Sequence, residues 1–163
     1  MKDKIKKVSK LPAGKYYIGD FCYLQDKLKD DSISYLLIQV ILDEVMKPGM
    51  FEDEQTGVKF YFCCNFGGDG GYDAYINGKR KLTIGVDSGS LGAFPYPHAS
   101  EFKKKKTLRG PADTLNRTFK GAFKCSEVKL SAGSYKGARN FRATNCVNEC
   151  EIGDVTIVFD NFE

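Results

Sequence analysis

Alternation of apolar and polar residues is the main pattern in this chain, and it predicts β-strands along most of its length. In Val58 to Phe66, alternation puts Phe60, Phe62, Cys64 and Phe66 on one face and Tyr61, Cys63 and Asn65 on the other. Similar short runs predict strands at residues 15–23, 72–76, 80–87, 118–130, 135–144 and 155–159. Glycine, asparagine and aspartate separate these runs. The pattern therefore predicts a mainly β fold, either a sandwich or a rolled antiparallel sheet.

One segment, residues 32–46, has helical periodicity instead. Its apolar positions include Ile33, Leu36, Leu37, Val40 and Ile41. Asp31 or Ser32 can cap the first turn, and the Lys47-Pro48-Gly49 sequence ends the helix. We therefore expect one helix near residues 32–46, packed on the sheet in an α+β arrangement.

The remaining segments set the domain organisation. Residues 1–10 carry five lysines and predict a basic N-terminal arm, followed by a single β-rich domain over residues 11–163. The sequence predicts a polar loop at residues 52–57 and a turn-rich segment at residues 87–97.

In the hairpin around Asn77-Gly78, the turn type that the dipeptide favours conflicts with burial of the apolar side chains. Asn-Gly favours a two-residue type I′ turn. Such a turn would pair Ala74 with Lys81 and Tyr72 with Thr83, which sets the apolar side of one strand beside the polar side of the other. A three-residue loop with a G1 bulge instead puts Tyr72 and Ala74 on one face with Leu82, Ile84 and Val86. We therefore predict the three-residue loop.

Charge adds one candidate site. The net charge is only +4, which does not by itself indicate a nucleic-acid partner. A local cluster of positive charge is more informative than the net charge, and it consists of Lys103, Lys104, Lys105, Lys106 and Arg109. This cluster is the candidate partner-binding site, for an acidic protein surface or for phosphates. A solvated loop is the other interpretation. No stacking aromatic pattern accompanies the run, so a protein partner in an assembly is favoured over nucleic acid.

Cysteine usage and the N-terminus bear on the compartment. The chain has six cysteines, begins with a polar, charged segment, and has no apolar stretch long enough to span a membrane. These features predict reduced thiols and a cytoplasmic protein.

Several motifs contain part of a catalytic or metal-binding site, and each is incomplete. Ser88 and the single histidine, His98, do not follow a known triad order. The glycine-rich residues 67–71 lack the lysine and helix of a phosphate loop, and Cys146 and Cys150 lack a second ligand pair. We therefore predict no metal, no cofactor and no enzymatic activity. The alternative is a small hydrolase-like enzyme using clustered Asp20, Asp69 and Asp87.

Three blocks carry a resemblance to a known family. These are residues 16–23 (YYIGDFCY), 68–72 (GDGGY) and 86–92 (VDSGSLG). They resemble an uncharacterised family of small β-rich proteins from phages, large DNA viruses and bacteria, in which proline usually stands at the position of Phe21. The family has no established activity. The resemblance implies a viral or mobile-element origin and assigns no catalytic residue.

Together these features predict a non-enzymatic structural or interaction protein, virus- or phage-encoded, as a minor component of a virion or other large assembly. A virion is thus a second expected location. Besides this role and the hydrolase-like alternative, a third hypothesis is an immunity- or regulator-like binding module that acts through a basic face.

Overall fold

The computed structural model describes residues 5–22, 37–38, 40–41, 48–64, 70–86, 90–95, 115–128 and 149–159. Its strands are β1 (Ile5–Lys7), β2 (Gly14–Gly19), β3 (Gly49–Asp53), β4 (Lys59–Cys64), β5 (Gly70–Ile76), β6 (Lys79–Val86), β7 (Ser90–Pro95), β8 (Leu115–Phe119), β9 (Cys125–Val128), β10 (Glu149–Ile152) and β11 (Val155–Phe159).

The strands form two antiparallel sheets. The six-stranded sheet has the order β1-β3-β4-β7-β2-β8, and the five-stranded sheet has the order β6-β5-β11-β10-β9. Strand β9 packs against β3, and β6 packs against β2. The mainly β prediction is therefore confirmed, in its sandwich form.

Side-chain alternation divides the core into two layers. Tyr61 and Cys63 of β4 belong to the layer between the sheets, together with Tyr72, Ala74 and Ile157 of the five-stranded sheet. The layer on the other face of the six-stranded sheet is rich in phenylalanine, with members Tyr17, Phe21, Leu37, Ile38, Ile41, Phe51, Val58, Phe60, Phe62 and Phe94. The face assignment made for β4 from sequence is confirmed for residues 60–63. Consequently the six-stranded sheet has apolar side chains buried on both faces.

Most of the predicted helix at residues 32–46 lies outside the described residues. The backbone is helical at the four positions that are described, 37, 38, 40 and 41. Leu37, Ile38 and Ile41 are buried in the phenylalanine-rich layer, whereas Val40 is half-buried. No helix can be bounded within the described part of the chain.

The predicted three-residue loop between β5 and β6 is wrong, because the turn has two residues. Ile76 and Lys79 are the closing pair, and Asn77 and Gly78 have φ values of 52° and 75°, as a two-residue type I′ turn requires. The predicted faces nevertheless hold, since Tyr72 pairs with Ile84 and Ala74 with Leu82. A register shift next to Ala74 reconciles the two facts: Tyr75 pairs with Arg80, which leaves Lys81 as an extra residue in β6. The bulge shifts the register of β6 by one residue. The type I′ turn therefore forms, and the apolar side chains of both strands still lie on the same face.

Several strands lie where the sequence predicted other structure. β7 crosses the turn-rich segment, β3 extends into the polar loop, and β1 lies within the basic arm, where it pairs with β3. The single strand predicted at residues 118–130 is two strands, β8 and β9, in different sheets. β10 was not predicted, and the strand predicted at 135–144 lies outside the described residues.

Candidate functional site

The residues that the sequence singled out for chemistry or binding fall mostly outside the described part of the chain. This applies to Lys103, Lys104, Lys105, Lys106 and Arg109, and also to Asp69, Asp87, Ser88, His98 and Cys146. The structure therefore does not bring these side chains together or separate them.

Asp20 is described, and its carboxylate caps the helical backbone that begins at Phe21. It is fully buried directly after β2, where its Oδ1 accepts a hydrogen bond from the backbone N–H of Cys22 at 2.8 Å. The Tyr17 hydroxyl donates to the Asp20 carbonyl oxygen at 2.6 Å. Phe21 packs on Phe62 and Phe94, with ring centroids 5.5 and 5.8 Å away. Tyr17 and Phe21 of the block at residues 16–23 thus belong to the phenylalanine-rich layer, whereas Tyr16 and Ile18 pack between the sheets.

A group of thiols lies in the layer between the sheets. Cys63 projects from β4, and Cys125 and Cys150 project from β9 and β10. Cys150 pairs in register with Glu127, whose Oε1 accepts a hydrogen bond from the hydroxyl of Tyr61 across the two sheets. Cys125 and Cys150 are free thiols. Within the described ranges, no three His, Cys, Asp or Glu side chains are grouped so that they could hold a metal ion.

Burial keeps the titratable members of this layer protonated. It raises the pKa of Cys125 and of Cys150 far above the ordinary thiol value, and the nearby Glu127 carboxylate adds to both effects. Burial also raises the pKa of the Tyr61 phenol strongly, with smaller contributions from the neighbouring thiols and Glu127. Since the thiolate is the reactive form, Cys125 and Cys150 act as neutral packing groups at physiological pH.

The described surface contains a groove at one end of the six-stranded sheet. It is lined by residues 12–16, residues 57–59 and Pro95, and its volume is about 190 Å³. β7 lies between β4 and β2 and ends at Pro95, while the chain preceding β4 and the chain preceding β2 continue past this point. Two strand spacings, about 10 Å between strand axes, separate β4 from β2.

Short hydrogen-bonded turns hold both walls of the groove. On one wall, the Tyr16 hydroxyl donates to the Pro12 carbonyl at 2.8 Å. On the other wall, Asp53 accepts hydrogen bonds from the backbone N–H and the hydroxyl of Thr56 at 3.1 and 2.6 Å. The Thr56 hydroxyl in turn accepts from the Val58 N–H at 3.3 Å. The groove is therefore preorganised by its own sequence-local contacts.

The charge at the groove is positive. Lys15, on the β2 wall, is exposed. Lys59, on the β4 wall, is 38% exposed and lies 3.8 Å from Glu52, which also pairs with Lys6 at 3.2 Å. Long, partly exposed ion pairs such as Lys59–Glu52 contribute little energy, so they hold Lys59 only weakly.

The groove volume restricts what it can bind. Pockets for small molecules and cofactors have about 300–1,000 Å³, and this groove has about 190 Å³. It is therefore suited to one or two side chains of a larger partner.

Sequence reasoning missed this groove because its lining comes from three separate segments. Only the Leu11-Pro12-Ala13-Gly14 turn had a recognisable signal, and nothing in the sequence joins it to Lys59 or Pro95. Pro95 also connects the groove to the candidate site predicted from sequence, because Lys103 follows it by eight residues. That length of chain reaches at most about 29 Å.

Comparisons of the chain with protein-family models, with curated proteins and with solved structures found no match. Within the described residues, no helix is long and apolar enough to cross a membrane.

Proposed function

We propose that this chain is a non-enzymatic structural or interaction protein, encoded by a virus or phage, that binds a protein partner within a virion or other large assembly. The observation that carries this proposal is the lysine-flanked groove at the end of the six-stranded sheet. A groove of this size, held by sequence-local hydrogen bonds, can receive one or two side chains of a partner.

Two further observations support the proposal. Pro95 of the groove lining precedes Lys103 by eight residues, so the segment that carries Lys103 to Lys106 and Arg109 is close to the groove along the chain. The resemblance of residues 16–23 to phage and viral proteins supplies the viral part of the proposal.

The hydrolase alternative requires Asp20 in a solvated pocket with Asp69 and Asp87. Asp20 is fully buried, and its carboxylate accepts the Cys22 N–H. No observation on the described residues favours this alternative, and the Asp20 carboxylate is explained as the cap of the helical backbone at Phe21 and Cys22.

Replacement of Lys103, Lys104, Lys105 and Lys106 by serine tests the proposal. The tagged full chain is expressed in its native host, and its complexes are sized by gradient sedimentation at low and high salt. We expect the wild-type chain to sediment in a large complex at low salt, and the variant to leave that complex at lower salt than the wild type does.

The matched control replaces four exposed lysines of the described chain, Lys7, Lys10, Lys120 and Lys124, with the same change in net charge. We expect it to sediment like the wild type. A wild-type chain that sediments alone, or a Lys103–Lys106 variant that stays in the complex as the wild type does, would refute the proposal.

A further inference from the structure

We infer that one end of the sandwich binds the phosphate backbone of a nucleic-acid duplex, through exposed lysines that the strand order gathers there. These lysines, called the basic edge below, are Lys10, Lys79, Lys81, Lys120 and Lys124. The inference goes beyond the proposed function, because that function concerns a protein partner and depends on Lys103 to Lys106.

Strand register places the basic edge along one end of the five-stranded sheet. One row of cross-strand pairs runs through all five strands of that sheet, and its members are Cys125, Ile152, Val155, Ile76 and Lys79. Lys124 directly precedes Cys125, so it lies at one end of the row, and Lys79 lies at the other. Four strand spacings separate β9 from β6, which is about 19 Å.

The chain that follows β8 adds Lys120 to the same end of the molecule. β8 ends at Phe119, and a Cβ atom built on Gly153, in the turn between β10 and β11, would stand 2.5 Å from the Phe119 ring. The backbone N–H of Gly153 donates to the Lys124 carbonyl at 2.9 Å. Lys120 directly follows Phe119, so it lies beside the turn that contacts Lys124.

Lys10 joins the basic edge next to Lys124. Leu11 and Phe123 form an antiparallel bridge, with backbone hydrogen bonds of 2.8 and 2.9 Å. The antiparallel register places the residue before Leu11 opposite the residue after Phe123, which sets Lys10 opposite Lys124. Like charges directly opposite each other destabilise such a pair, and a bound anion offsets this repulsion.

The lysines of the basic edge have no acidic partner among the described residues. Asp154, in the turn between β10 and β11, is bonded to Arg117 and so does not neutralise them. Lys6 of β1 and Lys59 of β4 are different, since both pair with Glu52 of β3, at 3.2 and 3.8 Å. Uncompensated positive charge is therefore concentrated at the basic edge.

The composition of the basic edge favours a nucleic-acid duplex over a protein surface. Protein interfaces have aromatic residues at their centres and are depleted in lysine. The exposed residues next to the edge lysines have small or polar side chains, and they are Asn77, Gly78, Gly121, Ala122 and Gly153. About 19 Å of duplex carries roughly 11 phosphate charges, so a row of lysines of this length meets several phosphates at once.

The aromatic residues at this end disfavour a single strand as the ligand. Binding of single strands without sequence preference relies on exposed rings on which bases stack. Phe119 and Phe123 are both 8% exposed, and they stack on each other with ring centroids 3.8 Å apart. The basic edge therefore offers contacts to phosphates, which carry no sequence information.

Fluorescence anisotropy of labelled DNA tests the inference. The full chain is titrated into two duplexes of unrelated sequence, each of roughly 24 base pairs, at a series of salt concentrations. We expect both duplexes to bind with similar affinity. The plot of log Kd against log salt concentration should have a slope of about 4.5 or more, because each of the edge lysines releases about 0.9 counterion. This measurement uses the unaltered protein.

The edge variant combines Lys79→Ser, Lys81→Ser and Lys124→Ser. It should bind the duplex at least about tenfold more weakly at about 50 mM salt, and the slope should fall by about 2.7. Arginine at the same three positions keeps the charge and should keep the affinity. The arginine variant thereby separates loss of phosphate contacts from loss of the fold.

The matched control combines Lys6→Ser, Lys7→Ser and Lys59→Ser, which removes the same charge from β1 and β4. It should bind the duplex like the wild type. No duplex binding by the wild-type chain at low salt, or equal losses in the edge and control variants, would overturn the inference. Poly-glutamate or phosphatidylserine vesicles that compete as well as a duplex of equal charge would also overturn it, because the ligand would then be an acidic chain or a membrane.

This contact and the proposed assembly role fail independently. The sedimentation control replaces Lys10, Lys120 and Lys124, and its complex should stay whole because a protein partner holds it. The same control variant should lose duplex affinity. If the wild-type chain binds no duplex while the Lys103–Lys106 variant leaves its complex, the assembly role stands and the duplex inference falls. If the duplex binds with the expected lysine dependence while the wild-type chain sediments alone, the reverse holds.

Discussion

At the level of single residues, the phenol of Tyr61 and the thiols of Cys125 and Cys150 share one environment, the layer between the two sheets. Each is a group that could ionise in water, and each is held neutral because burial penalises its charged form. The protonation of these groups is therefore coupled to folding.

This coupling predicts a loss of stability at alkaline pH. Thiols ordinarily titrate near pH 9, and Tyr16, whose pKa burial raises from 10.0 to about 12, belongs to the same layer. Above about pH 9 the unfolded chain releases these protons while the folded chain keeps them, so the free energy of unfolding falls as the pH rises. Below about pH 8 the same groups are protonated in both states and add no slope.

Urea denaturation at a series of pH values from about 7 to about 11 measures this slope. Cys150→Ala removes one of the buried groups and should make the alkaline slope shallower, whatever its effect on stability at neutral pH. An unfolding free energy that stays constant up to about pH 11 would show that the folded chain ionises these groups as readily as the unfolded chain does.

Gly92 is the second feature at this scale. It lies in β7 between Gly19 and Phe62, and a Cβ atom there would stand 2.2 Å from the Tyr61 carbonyl oxygen and 2.9 Å from the Phe21 ring. The backbone contact cannot relax as a side chain can. The glycine at the end of the VDSGSLG block is therefore explained by close packing.

We expect Gly92→Ala to destabilise the fold by about 3 kcal/mol or more, a large effect for one methyl group. Gly121→Ala is the control, because a Cβ atom at Gly121 meets nothing within 4 Å. Thermal or urea unfolding of both variants decides the point, and equal stabilities would mean that β7 and β4 can separate at little cost.

At the level of elements, the bulge at Lys81 is the device that lets the β5–β6 hairpin keep both its turn and its buried face. Its neighbour Arg80 donates through Nε to Asp73 at 3.0 Å, and the Thr83 hydroxyl donates to the same carboxylate oxygen at 2.6 Å. These two bonds join residues on either side of Lys81 to β5. They fix the place of the bulge in the strand.

Deletion of Lys81 should therefore be far more damaging than its substitution. Without the extra residue, either the type I′ turn is lost or Leu82, Ile84 and Val86 leave the core face. We expect the deletion to cost at least about 2 kcal/mol more than Lys81→Ala, which changes an exposed side chain and should stay within about 0.5 kcal/mol of the wild type. Urea denaturation compares the two, and similar stabilities would show that the register is fixed elsewhere.

The buried positions at residues 37–41 support a second prediction at this scale. Leu37→Asp should cost about 3 kcal/mol or more, because it places a charge without a partner among the phenylalanines of β4 and β7. Val40→Asp, at a half-buried position in the same segment, should cost clearly less. Melting temperatures that rank the variants in the opposite order would contradict the packing of this segment on the sheet.

The elements also show how far sequence reasoning reaches in this protein. Strands such as β4 and β11 were predicted because their apolar and polar residues alternate within a short stretch of sequence. β3 was missed because Glu52 and Asp53 at its end are typical of a polar loop. β7 was missed because it is buried on both faces and contains small residues, so Gly92 and Ala93 give no alternating pattern. The groove could not be predicted for a different reason, since Lys15, Lys59 and Pro95 are brought together only by the order of strands in the sheet.

At the level of the whole molecule, cross-sheet contacts between side chains join the two sheets. Tyr61 of β4 bonds to Glu127 of β9, and Arg117 of β8 pairs through two nitrogens with Asp154 in the turn between β10 and β11. Cys125 of β9 and Cys150 of β10 are free thiols and form no covalent link to the other sheet. Association of the sheets in the described part of the chain thus rests on packing and polar contacts.

The sequence predicts a reducing compartment, and a thiol count tests that expectation. Protein purified without reductant and then denatured should show close to six reactive thiols, the number of cysteines in the chain. The folded protein should react more slowly, because Cys63 and Cys150 are fully buried. Two or fewer thiols in the denatured protein would contradict an intracellular, reducing location.

The strand order also has a consequence for synthesis on the ribosome. β2 ends at residue 19, but its two neighbours in the sheet, β7 and β8, begin at residues 90 and 115. At roughly 5–20 residues per second, at least about 4 s of translation separate β2 from its first partner. During that interval Tyr16, Tyr17 and Ile18 have no native strand on either side. The centre of the six-stranded sheet is therefore assembled late, from segments that the ribosome releases far apart in time.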